Sequence, residues 1–177
     1  MSVIDRIISG GQTGADQGAL AAAYRLGIPT GGWMPRGFLT EAGPRPDFAR
    51  LYDMREHQEA DYVARTEANV RESDATLIIG DASSGGTRAT KGFCGKHRKP
   101  CLVVPWRSGD PVPLGKIREF LDWLGARDVR ILNVAGNRES LQPGLHEAVL
   151  NFLLAALKDD NAARSAQSNS PPPQTTT

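Results

Sequence analysis

Two glycine-rich turns, at Ser9–Asp16 and Ser83–Thr90, carry the residue types best suited to holding a ligand. The first reads Ser9-Gly10-Gly11-Gln12-Thr13-Gly14-Ala15-Asp16; it follows a β-branched run and opens a helical pattern. Glycine lets the backbone reach positive φ and approach a ligand closely. Free N–H groups at a helix start favour phosphate or another anion. Thr13 and Asp16 also have capping-box spacing, so a tight turn with a good cap accounts for the same residues. The segment is neither G-x-G-x-x-G nor a Walker P-loop, because no Gly-Lys-Ser/Thr follows, and this disfavours a nucleoside triphosphatase. The second turn, Ser83-Ser84-Gly85-Gly86-Thr87-Arg88-Ala89-Thr90, follows another apolar run, and the hydroxyls of Ser84, Thr87 and Thr90 add donors. Two such turns at equivalent strand ends predict grips on the two ends of one anionic ligand.

The long loop from Gly31 to Gly43 brings Trp33 and Phe38, which either stack on a ligand ring or serve as core. A loop of that length without regular structure is usually functional or disordered. Arg65, Thr66 and Asn69 fall on one helix with i, i+1, i+4 spacing, which places Arg65 and Asn69 on one side. Arginine pairs bidentately with phosphate or carboxylate, although a surface pair with Glu67 or Glu72 fits the spacing equally. The helix Thr87–His97 and its continuation carry Arg88, Lys91, Lys96, Arg98 and Lys99 with no acid. The helix dipole accounts for the basic C-terminal end; Arg88 and Lys91 point to an anionic ligand, an acidic partner or a solvated face.

Groups for catalysis are sparse. His57, His97 and His146 show no metal-ligand spacing with cysteine or carboxylate, and no G-x-S-x-G elbow occurs. Cys94 sits in a basic helix, where a thiol pKa can fall, but no histidine is placed by sequence to serve it; Cys101 heads an apolar strand and reads as core.

Short β-rich runs alternate with helical patterns. Strands are predicted at 3–9, 28–34, 75–80, 100–106 and 129–134, and helices at 15–26, 60–72, 87–97, 114–124 and 143–157. Several strand runs are apolar throughout, as in strands covered on both faces. The fold class is therefore α/β: a Rossmann-like, doubly wound parallel sheet of about five or more strands flanked by helices. In such sheets ligands sit outside the carboxyl ends of the strands, where both glycine turns fall. The apolar set Leu145, Val149, Leu150, Leu153, Leu154 and Leu157 is wider than one core-facing stripe needs, so part of it is expected at a subunit interface. One cofactor-binding domain is expected over 1–157. From 158 to 177 no large apolar side chain appears, so a disordered low-complexity tail is expected there.

The chain has 177 residues, 40% hydrophobic and 23% charged, which suits one packed domain. Lysine plus arginine is 21 against 20 acids, a net +1 that argues against a nucleic-acid or membrane coat. Two cysteines make neither a disulfide framework nor a structural zinc cluster. With no signal-like apolar run, a reducing cytoplasm is the expected compartment.

Together SGGQTGADQGAL (9–20), GGWMPRG (31–37) with Glu41-Ala42-Gly43, RTEANVRESDATLII (65–79), SGGT (84–87) with Thr90, and LNVAGNRES…PG (132–144) resemble the molybdenum-cofactor carrier proteins. That family lies within a Rossmann-like superfamily that also holds nucleotide sensors and lysine-decarboxylase-like phosphoribohydrolases. The resemblance implies a homotetramer that binds the molybdenum cofactor (molybdopterin) without catalysis, protects it and delivers it. Its partners would be molybdenum-cofactor-dependent enzymes or cofactor-synthesis proteins. Carried over by position, phosphate and pterin would lie near Gly10, Gly11, Gln12, Thr13, Gly14 and Asp16, with Ser84, Gly85, Gly86, Thr87 and Thr90; Arg65, Thr66 and Asn69 match motif positions. The chain departs from the family at Met34 (often cysteine), Gln17 (often arginine) and Asn137 (often proline). Met34 leaves direct protein–molybdenum ligation without an obvious donor.

Two other functions compete. A phosphoribohydrolase acting on nucleoside monophosphates would use a Pro-Gly-Gly-x-Gly-Thr-x-x-Glu loop, but the turn here reads SGGTRATKG and lacks the glutamate. A nucleotide sensor would use the basic helix as its contact surface.

Overall fold

The computed structural model describes residues 4–83 and 85–168, with side chains as far as 158. In chain order the elements are β1 (Arg6–Ile8), α1 (Ala15–Arg25), β2 (Thr30–Met34), β3 (Leu39–Thr40), β4 (Gly43–Pro44), α2 (Phe48–Leu51), β5 (Met54–Glu56) and α3 (Tyr62–Glu72). There follow β6 (Ala75–Ile79), α4 (Gly85–Lys96), β7 (Cys101–Val104), a 3-10 turn Leu114–Lys116, α5 (Ile117–Gly125), β8 (Ile131–Gly136) and α6 (Leu145–Ser168).

Six strands form one sheet in the order β5-β2-β1-β8-β6-β7, and every pairing in it is parallel. The chain lays β1, β2 and β5 toward one edge and β6 and β7 toward the other. It then returns to seat its last strand between β1 and β6. All five residues of β6 are buried, as a strand covered on both faces requires. The architecture is the expected Rossmann-like α/β sheet with flanking helices.

The main core lies beneath α1, α5 and α6, where Ile7, Leu77, Leu132 and Val134 of the sheet meet Ala19, Phe120, Phe152 and Leu153. Phe120 stacks on Trp123 and tilts against Phe152, 5.5 Å between ring centres. Leu145, Val149, Leu150, Leu153 and Leu157 are all buried, and Leu154 packs on the same core. The wide apolar set, expected in part at a subunit interface, is thus largely covered within the chain, because α6 packs between α1 and α5 and needs two covered flanks. The expected domain boundary at 157 falls inside α6, which continues to Ser168. Residues 158–168 contain no glycine or proline, and their alanines, lysine, arginine and glutamine propagate a helix. Residues 169–177 lie outside the described residues.

Loop 35–61 is not featureless. It holds the β3–β4 hairpin, α2 and the edge strand β5, and closes a smaller core of Leu20, Met34, Phe48 and Met54 with Phe38 and Tyr52 against it. Trp33 lies outside both cores. Arg55 stacks on it 4.0 Å from the ring centre, and its Nε1 donates to Glu72.

Two polar devices hold the turn after β1. Asn69 is buried, accepts from the Trp33 N–H at 2.8 Å, and donates to the Trp33 and Ser9 carbonyls. It bolts α3 to the ends of β1 and β2. Glu41, from the β3–β4 turn, accepts from the Thr13 hydroxyl, the Ser140 N–H and the Ser140 hydroxyl, so it joins three loops. Partial burial pushes the Glu41 carboxyl up, but the Ser140 and Thr13 hydrogen bonds and the Arg138 charge outweigh it and hold the carboxyl below the usual glutamate range.

Asn69→Ala should lower stability by about 2–3 kcal/mol in chemical denaturation, since it strands a buried N–H and two carbonyls. The folded pKa of Glu41 lies below its unfolded value, so its stabilisation is complete above the ordinary range of about 4.3 and is lost as pH falls through and below it. The denaturation midpoint of Glu41→Gln should therefore trail the wild type at neutral pH and converge with it in acid. Parallel curves across that range would disprove the latch.

Candidate functional site

A cleft of about 110 Å³ opens where the carboxyl ends of β1, β6 and β8 meet the first turns of α3 and α4. Helices after β8 and β6 leave toward opposite faces, and this divergence creates a crevice at the strand ends. One wall is Gly85, Gly86, Thr87, Ala89 and Thr90 of α4; another is Tyr62, Val63, Arg65 and Thr66 of α3. Ala135–Arg138 and Leu141 follow β8, and Gln12 and Asp16 come from the first turn.

Most of the predicted residues converge here: Gln12, Asp16, Arg65, Thr66, Gly85, Gly86, Thr87 and Thr90 all line the cleft. Ser84 lies outside the described residues. Gly10, Gly11, Thr13, Gly14 and Asn69 are not among the lining residues and act behind it. A Cβ on Gly10 would stand 1.4 Å from Arg65 Nη1, so only glycine lets that guanidinium cross the strand end. Gly11 has φ 72° and packs on Met34, whose sulfur a Cβ would meet at 2.7 Å. Met34 is itself fully buried in the smaller core, so the departure at 34 removes no group from the cleft.

The first turn corrects one expectation. Several N–H groups at and just after it are already engaged: Gln12 N–H on Asp16 Oδ2, Thr13 N–H on Gln12 Oε1, Ala15 N–H on the Asn137 carbonyl and Gln17 N–H on the Gln12 carbonyl. Nor does a Thr13–Asp16 capping box form. Gly14 is the N-cap residue of α1, and the Thr13 hydroxyl accepts from Glu139 N–H while donating to Glu41. The open donors belong to the second turn, where the N–H groups of Gly85, Gly86 and Thr87 have no acceptor among the described residues. A helix start left so carries partial positive charge.

Asp16 and Arg65 meet in the wall at 3.4 Å, with side chains 6% and 11% exposed. Burial pushes the Asp16 carboxyl up, while Arg65, the Gln12 N–H and Ser9 pull it back. Arg65 thus pairs with Asp16 rather than with Glu67 or Glu72, which hold Lys96 with His97 and Arg55 with Trp33. Two donors of the wall, Gln12 Nε2 and Arg65 Nε, are buried without a partner among the described residues. Arg138 lies at the rim over the Tyr62 ring, 5.0 Å from its centre, beside exposed Leu141 and Val63.

The residues that sequence reasoning missed are Tyr62, Val63, Ala89 and the segment 135–138 with Leu141. Asn137 clamps the end of β6, accepting from the Asp81 N–H at 2.7 Å and donating to the Asp81 carbonyl. Trp33, considered for stacking, is not among the lining residues. No group of three or more histidine, cysteine or acidic side chains suited to a metal occurs among the described residues. No helix among them is long and apolar enough to cross a membrane.

Comparison with known proteins agrees with this geometry. No curated protein sequence matches the chain. A crystal structure at 1.45 Å resolution from Syntrophus aciditrophicus SB, named "Putative molybdenum carrier protein", is 38% identical, covers 88% of this chain and 96% of its own, and superposes with a TM-score of 0.79. The model of the Circularly permutated YpsA SLOG family matches residues 7–157. A last strand seated between the first and the fourth of the six sheet strands is what joining the ends of a doubly wound sheet and reopening it elsewhere would produce. By sequence and by strand order, then, the chain belongs to the circularly permutated YpsA SLOG family.

Proposed function

We propose that the protein is a non-catalytic carrier that binds, protects and delivers the molybdenum cofactor through its phosphate and pterin. The observation that carries this reading is the convergence of unpartnered donors on one cleft. Gln12 Nε2 and Arg65 Nε are buried in its wall without acceptors, and the first N–H groups of α4 are open. A buried donor without a partner costs about 1–3 kcal/mol, a cost that an anionic ligand relieves. The phosphate suits the start of α4 with Thr87 and Thr90, and Arg138 adds charge at the rim. The pterin edge suits Gln12 and Arg65, and Tyr62, Val63 and Leu141 offer apolar surface to its ring.

The cofactor is cargo here. Among the described residues no cysteine, histidine or methionine lines the cleft, so its own dithiolene would hold the metal. The one carboxylate in the lining, Asp16, is tied to Arg65 and to the Gln12 N–H, which suits positioning better than proton transfer. The 38% identical neighbour named as a molybdenum carrier supports the same reading. A nucleotide would satisfy the phosphate end equally. As a phosphoribohydrolase, however, the chain lacks the glutamate that such an enzyme needs after the second turn, where Arg88, Ala89 and Thr90 stand. Delivery in a cytoplasm, by a homo-oligomer, to cofactor-dependent enzymes completes the proposal.

Protein purified without oxygen from a cofactor-producing host should retain molybdenum and oxidisable pterin near stoichiometry; absence of both would overturn the reading. Incubation with AMP should release no adenine. Gly86 is exposed with open space around its Cβ position. Gly86→Asp should therefore fold normally, an acid in the first turn suiting the helix dipole, yet lose the pterin by repulsion. Arg138→Ala should weaken pterin binding about ten- to a hundredfold, as expected for a lost charged hydrogen bond. Unchanged retention in both variants would place the ligand elsewhere.

A further inference from the structure

The Gln12 side chain stands in the cleft wall with one end of its amide fixed and the other unused. Its Oε1 accepts from two backbone N–H groups, Thr13 at 3.0 Å and Glu41 at 2.9 Å. Only oxygen suits that place, because an amide nitrogen there would set its hydrogens against two donors. The other end is therefore the Nε2 group, buried without an acceptor among the described residues. Gln12 is 4% exposed and clamped between the first turn and the β3–β4 hairpin, so it has no freedom to turn toward another partner. Its main chain is held as well, the N–H by Asp16 Oδ2 at 3.2 Å and the carbonyl by the Gln17 N–H. Asp16 Oδ2 also takes Arg65 Nη1, and Arg65 Nε is the second unpartnered donor of the same wall.

A buried donor that cannot move places a demand on the ligand, which must bring an acceptor to that point. The edges of fused heterocycles differ in this respect. An exocyclic carbonyl offers two lone pairs, whereas an exocyclic amino group offers hydrogens. A carbonyl against Gln12 Nε2 would satisfy it; an amino group would set N–H against N–H and leave both buried and unpaired. The start of α4 makes no such choice, since a phosphate is the same on either ring. We propose that Gln12 makes the cleft selective for a fused heterocycle presenting an exocyclic carbonyl over its amino counterpart, a selectivity that rests on the cleft being the ligand site. Pterins and oxopurines fall in the accepted class, and diaminopteridines and adenine in the rejected one. A site built around a fixed polar group discriminates far more sharply than an apolar pocket of the same shape.

The test is titration calorimetry on the full chain, purified from a host that makes no molybdenum cofactor, with two matched pairs of compounds. One pair is pterin-6-carboxylate and its diamino analogue, and the other is inosine monophosphate and adenosine monophosphate. Within each pair the anion is shared, and an oxo group is exchanged for an amino group at one ring carbon. The oxo member of the pteridine pair should bind about ten- to a hundredfold more tightly to the wild type. Gln12→Glu keeps an oxygen for the Thr13 and Glu41 N–H groups and puts an acceptor where the donor was, so it should cut that preference by about tenfold or more. Gln12→Met, with no donor at that end, should shrink it severalfold. Variants that weaken both members equally would show that Gln12 only shapes the turn and would overturn the proposal. Pteridines bound by the wild type without preference would also overturn it, and would leave the carrier reading standing. Selective binding of the inosine nucleotide with no pteridine bound would support the proposal and remove the pterin from the carrier reading. Failure to bind all four compounds would overturn both. The wild-type preference decides even if a variant does not fold.

Discussion

The ion pair between Asp16 and Arg65 is the constraint on which the cleft depends. Asp16 belongs to the first turn of α1 and Arg65 to α3, elements on opposite faces of the sheet that meet only where β1 ends. Both side chains are nearly out of water. Removing one partner of such a pair costs about 3–5 kcal/mol, because the other charge is left buried alone. The pair therefore fixes the direction in which β1 delivers its turn, and it requires Gly10, since any Cβ there would occupy the place of the guanidinium. Asp16 in turn takes the Gln12 N–H, which leaves the Gln12 amide bridging the Thr13 and Glu41 N–H groups while its own Nε2 stays without an acceptor.

This arrangement divides the labour between the two glycine turns. They look alike in sequence, yet the first is a closed hydrogen-bonded knot whose glycines make room for Arg65 and Met34. The second leaves its N–H groups open, and its Gly85 and Gly86 have no neighbour within van der Waals reach of a Cβ. The first turn is scaffold with one side-chain donor to offer, Gln12 Nε2, and the second is the seat we propose for an anion. Glycine content alone does not separate these roles; what each backbone N–H is bonded to does.

The alternation of apolar runs with helical patterns was enough to read the parallel sheet, five of its six strands and the longer helices that flank them. It missed β5, because Met54-Arg55-Glu56 is a three-residue edge strand with one buried side chain and has no periodicity to detect. On α6 most of the wide apolar stripe is covered by two neighbouring helices, and Leu154 is only partly buried. In the site, the lining residues from the two turns and α3 were legible because strand ends are where ligands bind. The segment 135–138 was not. Its relevance follows from β8 lying between β1 and β6, and strand order leaves no local mark in the sequence.

Helix α4 depends on the sheet more than on its own sequence. It carries glycine at 85, 86, 92 and 95, each about 1 kcal/mol less favourable than alanine when inside a helix. Its intrinsic propensity is poor, and it holds its shape by packing Thr87, Thr90 and Cys94 against the sheet. At its start the open N–H groups face the cleft, and toward its end Cys94 is buried against the sheet. An anion at that start would order the first turn of a weakly self-supporting helix. The same glycines that leave open space at the start of α4 make the helix depend on the sheet for its shape.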